Sequence, residues 1–162
     1  MTLLAQITEF DFCDAEAVFE ELEKRDVGGV YSIAISNFHE HLLEFGYVPE
    51  PEIPEIWSGR HFHCYVGETY SLKVRLRDHL LGENGDIGFR QSASLVLGLS
   101  GSALTQFLIQ NSIIAHRYFP FMGDVEERLI QATACPLNLR GKGKSPFARK
   151  MRSARREMEA SA

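Results

Sequence analysis

The stretch that most constrains the fold is the one from Arg60 to Leu80. Arg60-His-Phe-His-Cys-Tyr-Val66 alternates, which predicts a strand with Phe62, Cys64 and Val66 on one face and His61, His63 and Tyr65 on the other. Gly67 then permits a tight turn, and Thr69 or Ser71 is suited to cap a new helix. Leu72, Leu76 and Leu80 recur at i+4 and predict that helix's buried stripe. Arg75 and His79 are also four apart, on the neighbouring stripe. A phenol, a guanidinium and an imidazole are thereby directed to one edge of the fold. Arginine keeps its charge and forks onto phosphate oxygens, while histidine titrates near neutrality. Taken alone, the segment also fits a surface helix with a solvated arginine and histidine.

At 162 residues the chain is expected to be one domain with a real core. It divides into a helical extension (1–27), a core (28–139) and a basic C-terminal segment (140–162). Its apolar runs are only a few residues long, too short for a membrane span. Met-Thr-Leu-Leu-Ala-Gln has no basic n-region, so no signal peptide is read there. Cys13, Cys64 and Cys135 lie far apart with no C-x-x-C spacing, which suggests reduced thiols and a cytoplasmic protein. The net charge of -5 is polarised. All eight basic residues of the last segment fall between Arg140 and Arg156 with no acid among them, on an otherwise acidic body. Such a run suits contact with a phosphate backbone, through Arg140, Lys142, Lys144, Arg149, Lys150 and Arg152; it also suits a solvated, disordered tail.

Along the chain, a helix is expected from Asp14 through Arg25, with Ala17, Val18 and Leu22 inward. A strand follows over 30–35, with Tyr31, Ile33 and Ile35 on one face and Val30, Ser32 and Ala34 on the other. Phe38 to Phe45 reads as a short helix. Three prolines and three glutamates between Val48 and Ser58 argue against regular structure there and for an exposed loop between two strands. Two helices, 89–97 and 103–110, are separated by Gly98 and Gly101. Ile113 to Phe119 predicts a third strand, Gly123 to Ala134 a helix stopped by Pro136, and Phe147 to Met158 a last basic helix.

In the helix after Pro120, Asp124 as N-cap would give Glu127 a capping-box role. Glu126 precedes Leu129 and Ile130 by three and four residues and so shares their side. A carboxylate aimed there is costly unless it reaches water at the rim or is paired by a divalent metal or an arginine. Asn138 follows twelve residues later in a loop.

These pieces together resemble the GIY-YIG nucleases. Gly29-Val30-Tyr31 matches the first signature triplet and Tyr65-Val66-Gly67 the second, with Arg75 and His79 at the family's spacing. Glu126 and Pro136-Leu-Asn138 are similar to its metal-binding glutamate and terminal asparagine, and Phe89-Arg90-Gln-Ser92 resembles a bacterial branch. The resemblance covers about residues 28–156. It departs from the simplest pattern in the central valines and in the tyrosines being 34 residues apart, which the Pro/Glu-rich loop explains. No separate DNA-binding domain is read.

The resemblance implies an α+β fold, a small, mainly antiparallel three-stranded sheet flanked by helices. It also implies a metal-dependent phosphodiester hydrolase acting on DNA in a restriction, mobile-element or repair setting. Glu126 would hold Mg²⁺ or Mn²⁺, Arg75 would neutralise the scissile phosphate, Tyr65 and His79 would position or relay the proton, and Asn138 would complete the site. Tyr31 would orient the water or act as base; the residues leave open whether Tyr31 or His79 is the base. One catalytic centre cuts one strand at a time, so double-strand cleavage would need a homodimer or two events. The alternative is a catalytically weak nucleic-acid-binding module on the same scaffold.

His61-x-His63 and His39-x-His41 do not make a zinc site, since two ligands are too few and no cysteine lies at finger spacing. These histidines are expected on the surface. Ser32, Ser71 and Ser92 lack the Asp–His arrangement of a hydrolytic triad.

Overall fold

The computed structural model describes residues 11–117, 125–139 and 145–162. The chain builds a five-stranded, wholly antiparallel sheet in the order β1-β5-β2-β4-β3. The strands are β1 (Asp11–Asp14), β2 (Gly29–Ile35), β3 (Trp57–Ser58), β4 (His61–Thr69) and β5 (Ser112–Arg117). The α+β class is as expected, with the expected three strands at the centre of the sheet; two further strands lie at its edges. β1 is four residues long and pairs with β5 only. β3 is two residues at the end of the Pro/Glu-rich loop, a loop expected to carry no regular structure. Segments this short offer too few residues for an alternation to register.

The helices are α1 (Ala15–Lys24), α2 (His39–Phe45), α3 (Leu72–Leu76), α4 (Phe89–Leu97), α5 (Gly101–Asn111), α6 (Val125–Ala132) and α7 (Pro146–Ala160). Asp14 caps α1 by accepting from Ala17 N at 2.8 Å. Its buried stripe is Ala15, Val18 and Leu22; Ala17, expected inward, is exposed. Among the described residues no single helix is long and apolar enough to cross a membrane.

The larger core cluster includes Tyr31, Ile33, Ile35, Phe62 and the leucines Leu72, Leu76 and Leu80. A second, smaller cluster on the other face joins Val30, Val66 and Ala115 to Leu129 of α6. The faces of β4 differ from strict alternation because the strand bulges. Ile33 pairs with Tyr65 but Ala34 with His63, so Cys64 is the extra residue. The bulge puts Phe62 on the face of Tyr65 and turns His63 to the face of Val66. His63 is therefore no surface residue: it is 1% exposed and shares 2.7 Å hydrogen bonds with Ser32 Oγ at Nδ1 and with Ser58 Oγ at Nε2.

Beyond β3 and the 2.9 Å hydrogen bond from His63 N to Ile56 O, the outer edge of β4 would be open. The segment after α6 closes it. Leu137 N donates to Cys64 O at 3.0 Å, and Asn138 binds both polar groups of the Val66 backbone.

Candidate active site

β2 presents Tyr31 beside Gly67 of β4, its direct partner in the register. Gly67 was expected to make a turn, but it lies inside β4, and its lack of a side chain serves another purpose. A Cβ at Gly67 would sit 2.3 Å from Tyr31 Oη, so only glycine lets the phenol lie across the strand. The strand continues to Thr69, and Ser71 then caps α3, accepting from Val74 N at 3.2 Å.

After Leu76 the helix widens into one π turn, Arg77–Leu81, which carries His79. Leucines at successive i+4 steps drift by about 40° per step round an α-helix, and one wide turn absorbs part of that drift. Leu72, Leu76 and Leu80 all remain buried. His79 turns inward with them and is only 7% exposed, whereas Arg75 is exposed.

The Tyr31 hydroxyl shares a 2.8 Å hydrogen bond with His79 Nε2. Tyr65 packs edge-on to His79 with ring centroids 5.2 Å apart, and Phe89 of α4 lies 5.2 Å from each. Burial, with the Tyr65 phenol beside it, pushes the Tyr31 phenol well above the ordinary tyrosine range. Burial, then the positive charges of Arg75 and Arg90, lowers His79 to about 3. At neutral pH the pair is thus a protonated phenol against a neutral imidazole.

Glu126 completes the electrostatics from a different layer. α6 packs on the Val30–Val66 face, opposite the one that Tyr31 occupies, yet the half-buried Glu126 carboxylate raises both Tyr31 and Tyr65. Arg75 opposes it, lowering both phenols. Glu127, its neighbour, is exposed; its expected cap, Asp124, lies outside the described residues. Tyr31, Tyr65 and His79 therefore contact one another directly, and the charges of Arg75 and Glu126 both act on the two phenols. Asn138 stands apart: it is 5% exposed, and both ends of its amide are bound to the Val66 backbone. That makes it a group that fixes the Tyr65–Gly67 strand.

Arg90 supplies a second such support that sequence reasoning passed over, quoting it only for its resemblance. It is 1% exposed and binds Asp86 at 2.9 Å. It also donates to Leu80 O at 3.0 Å, Gly101 O at 3.1 Å and Thr105 Oγ1 at 3.0 Å. It therefore ties the π turn to the start of α5. Gly82, at φ 70, leaves room for its guanidinium, which a Cβ there would meet at 2.7 Å. A buried arginine in an apolar-periodic helix is hard to foresee, because arginine is almost never fully buried unless paired.

Of the basic residues in the last segment, Arg140, Lys142 and Lys144 lie outside the described residues. Arg149 is exposed on α7. Lys150 instead donates to Phe45 O and lies over the Phe45 ring at 4.7 Å, and Arg152 donates to Leu139 O at 3.2 Å. With Phe147, Ala148 and Met151 buried, α7 is a docked helix and not a loose tail.

The chain matches no protein-family model, no curated protein and no solved structure.

Proposed function

We propose that the protein is a divalent-metal-dependent endonuclease of the GIY-YIG type, hydrolysing phosphodiester bonds in DNA. The observation that carries this reading is the Tyr31–His79 hydrogen bond of 2.8 Å, made inside the combined field of Arg75 and Glu126. A buried proton-relay pair beside one exposed cation and one half-buried carboxylate is what attack on a phosphodiester requires. The order of the elements supports it too, with the two tyrosines on adjacent central strands and the arginine and histidine on the helix that follows.

Arg75 has no ion-pair partner among the described residues, whereas Arg77 is held by Glu23 and Glu83. Arg75 is thus available to fork onto a phosphate. A half-buried carboxylate such as that of Glu126 fits Mg²⁺ or Mn²⁺, which is commonly held by one or two carboxylates, waters and substrate phosphates. Glu126 would hold it. When bound, the ion would supply Lewis acidity and a more acidic water.

Tyr31 orients the attacking water and, with His79 protonated on Nδ1, donates its own O–H to Nε2. As Tyr31 takes a proton from the water, its hydroxyl proton passes to His79. The imidazolium so formed is disfavoured first by burial and then by Arg75 in the free protein. A phosphate on Arg75 offsets that charge, so substrate binding raises the proton affinity of His79 at the moment it is needed. Tyr65 and Phe89 hold the imidazole plane.

Supercoiled plasmid incubated with Mg²⁺ or Mn²⁺ tests the proposal, with nicked product expected first from a single centre. Linear product without a nicked precursor would point to a homodimer. Burial and the nearby arginines make the His79 imidazole a weak base, an observation that favours the second reading, a nucleic-acid-binding module. Binding without cleavage on any DNA or RNA would establish that reading in place of the first.

A further inference from the structure

Tyr70 stands where the candidate site meets solvent. It is 91% exposed, and Val74, four residues on, is 59% exposed. Both line one concavity with Arg75, Glu68 and Asp78. The ring projects from a rigid base. Ser71 N donates to Thr69 Oγ1 at 3.1 Å, Ser71 Oγ donates to Asp26, and Leu72 N donates to Val27 O at 2.8 Å. Gly28 packs so closely beneath that a Cβ there would meet Tyr70 O at 2.8 Å. An aromatic ring held this way contacts a ligand with little loss of backbone freedom.

We propose that Tyr70 is a stacking platform for the nucleobase next to the phosphate that Arg75 binds, and that the protein therefore selects nucleic acid that is single-stranded or unpaired at that nucleotide. The inference rests on the nucleic-acid reading above. Aromatic rings interleaved with cations are the means by which single strands are held, because every base has a π-face. Glu68 and Asp78 decide which part of the nucleotide lies at Tyr70. Two carboxylates repel a phosphate, so the backbone runs past Arg75 and the uncharged base turns toward the ring, where the carboxylates accept from base amino groups. Asp78 is fixed for this by Asn84 Nδ2, which donates to it at 2.6 Å. Val74 gives the ring an apolar neighbour. A base within a duplex already stacks on both sides and has no face to offer, so intact duplex is the poorer ligand.

The test uses the full chain and an oligonucleotide carrying 2-aminopurine in a short unpaired bubble, with the matching closed duplex as control. Binding is read in Ca²⁺ from 2-aminopurine fluorescence, and cleavage in Mg²⁺. The wild type and Tyr70→Phe are expected to quench the bubble probe and to prefer it to the duplex. Tyr70→Ala is expected to lose the quench, to bind the bubble about tenfold more weakly and to keep duplex binding, with unchanged thermal stability. Bubble binding and quenching by Tyr70→Ala equal to wild type would overturn the inference while leaving the nuclease reading intact. Tyr70-dependent quenching without cleavage would overturn the nuclease reading and leave this one standing. No binding of either probe by the wild type would overturn both.

Discussion

Asn138 clasps Val66 at both ends: its Oδ1 accepts from Val66 N at 2.8 Å and its Nδ2 donates to Val66 O at 2.7 Å. Asn138 thus substitutes for a neighbouring strand along the open edge of β4. Asn138→Ala would leave two buried backbone groups without partners, at a cost of roughly 2–4 kcal/mol. Urea unfolding is expected to show that loss together with reduced cleavage. A full loss of cleavage at unchanged stability would mean that Asn138 acts on substrate directly.

Gly67 and Tyr31 make a second interlock. In Gly67→Ala the new methyl meets the phenol, so Tyr31 must leave its place against His79. Both stability and cleavage are expected to fall. Gly67→Ala combined with Tyr31→Leu should be more stable than the sum of the single changes predicts, because the smaller side chain removes the clash. Additive losses in the double-mutant cycle would mean that the strand shifts to accommodate the methyl while the phenol stays.

What could be read from the chain depended on the period of each segment. The central strands, the helices around them and the leucine stripe of α3 follow from alternation and i+4 spacing, and the structure has them. The bulge at Cys64 left no mark in the sequence, because one extra residue does not change composition; it moved His63 from the surface to the interior. The use of Gly67 was also hidden: a glycine between a strand and a helix reads as a turn until its partner across the sheet is known. The clasp of Asn138 on Val66 joins residues 72 apart, and no local pattern reports it. Spacing directed Tyr31, Tyr65, Arg75, His79 and Glu126 to one cleft at a single sheet edge, whereas α6, which carries Glu126, packs on the sheet face opposite Tyr31.

His63 and His79 should make the fold sensitive to acid. Burial lowers His63 to about 4, and burial with two arginines lowers His79 to about 3. The unfolded chain takes up these protons near pH 6.5 and the native state does not, so it is the unfolded state that gains as pH falls. Stability is expected to be complete above pH 6.5 and to decline toward pH 4, by up to about 1.4 kcal/mol per pH unit for each histidine. His63→Gln should remove one proton's worth of that slope in urea midpoints measured from pH 7 to 4.5. An unchanged slope would show that His63 is protonated in the folded protein.

Arg149 is an exposed cation of α7 on which a phosphate contact can be tested. Removing residues 148–162 would take Ala148 and Met151 out of the core, so a deletion would confuse binding with folding. Arg149→Gln is expected to keep stability and to reduce the slope of log K against log salt by about 0.9. Arg152→Gln should instead lower stability, since it frees Leu139 O. Equal salt slopes for wild type and Arg149→Gln would place the nucleic acid elsewhere.

The last prediction separates catalysis from binding within one helix turn. Glu126 is half-buried and its charge is felt by both phenols, whereas Glu127 is exposed. Glu126→Gln keeps the shape and removes the charge that a hard divalent cation needs. It should fold, bind DNA at least as tightly because one anion fewer faces the phosphates, and cut slower by on the order of 100-fold or more. With the carboxylate gone, Tyr31 and Tyr65 should both titrate lower, a shift that ultraviolet titration of the phenols reads without any turnover. Glu127→Gln should cut at nearly the wild-type rate and lose at most about 1 kcal/mol of stability. Equal behaviour of the two variants, in cleavage and in phenol titration, would remove Glu126 from the site and with it the metal-dependent mechanism.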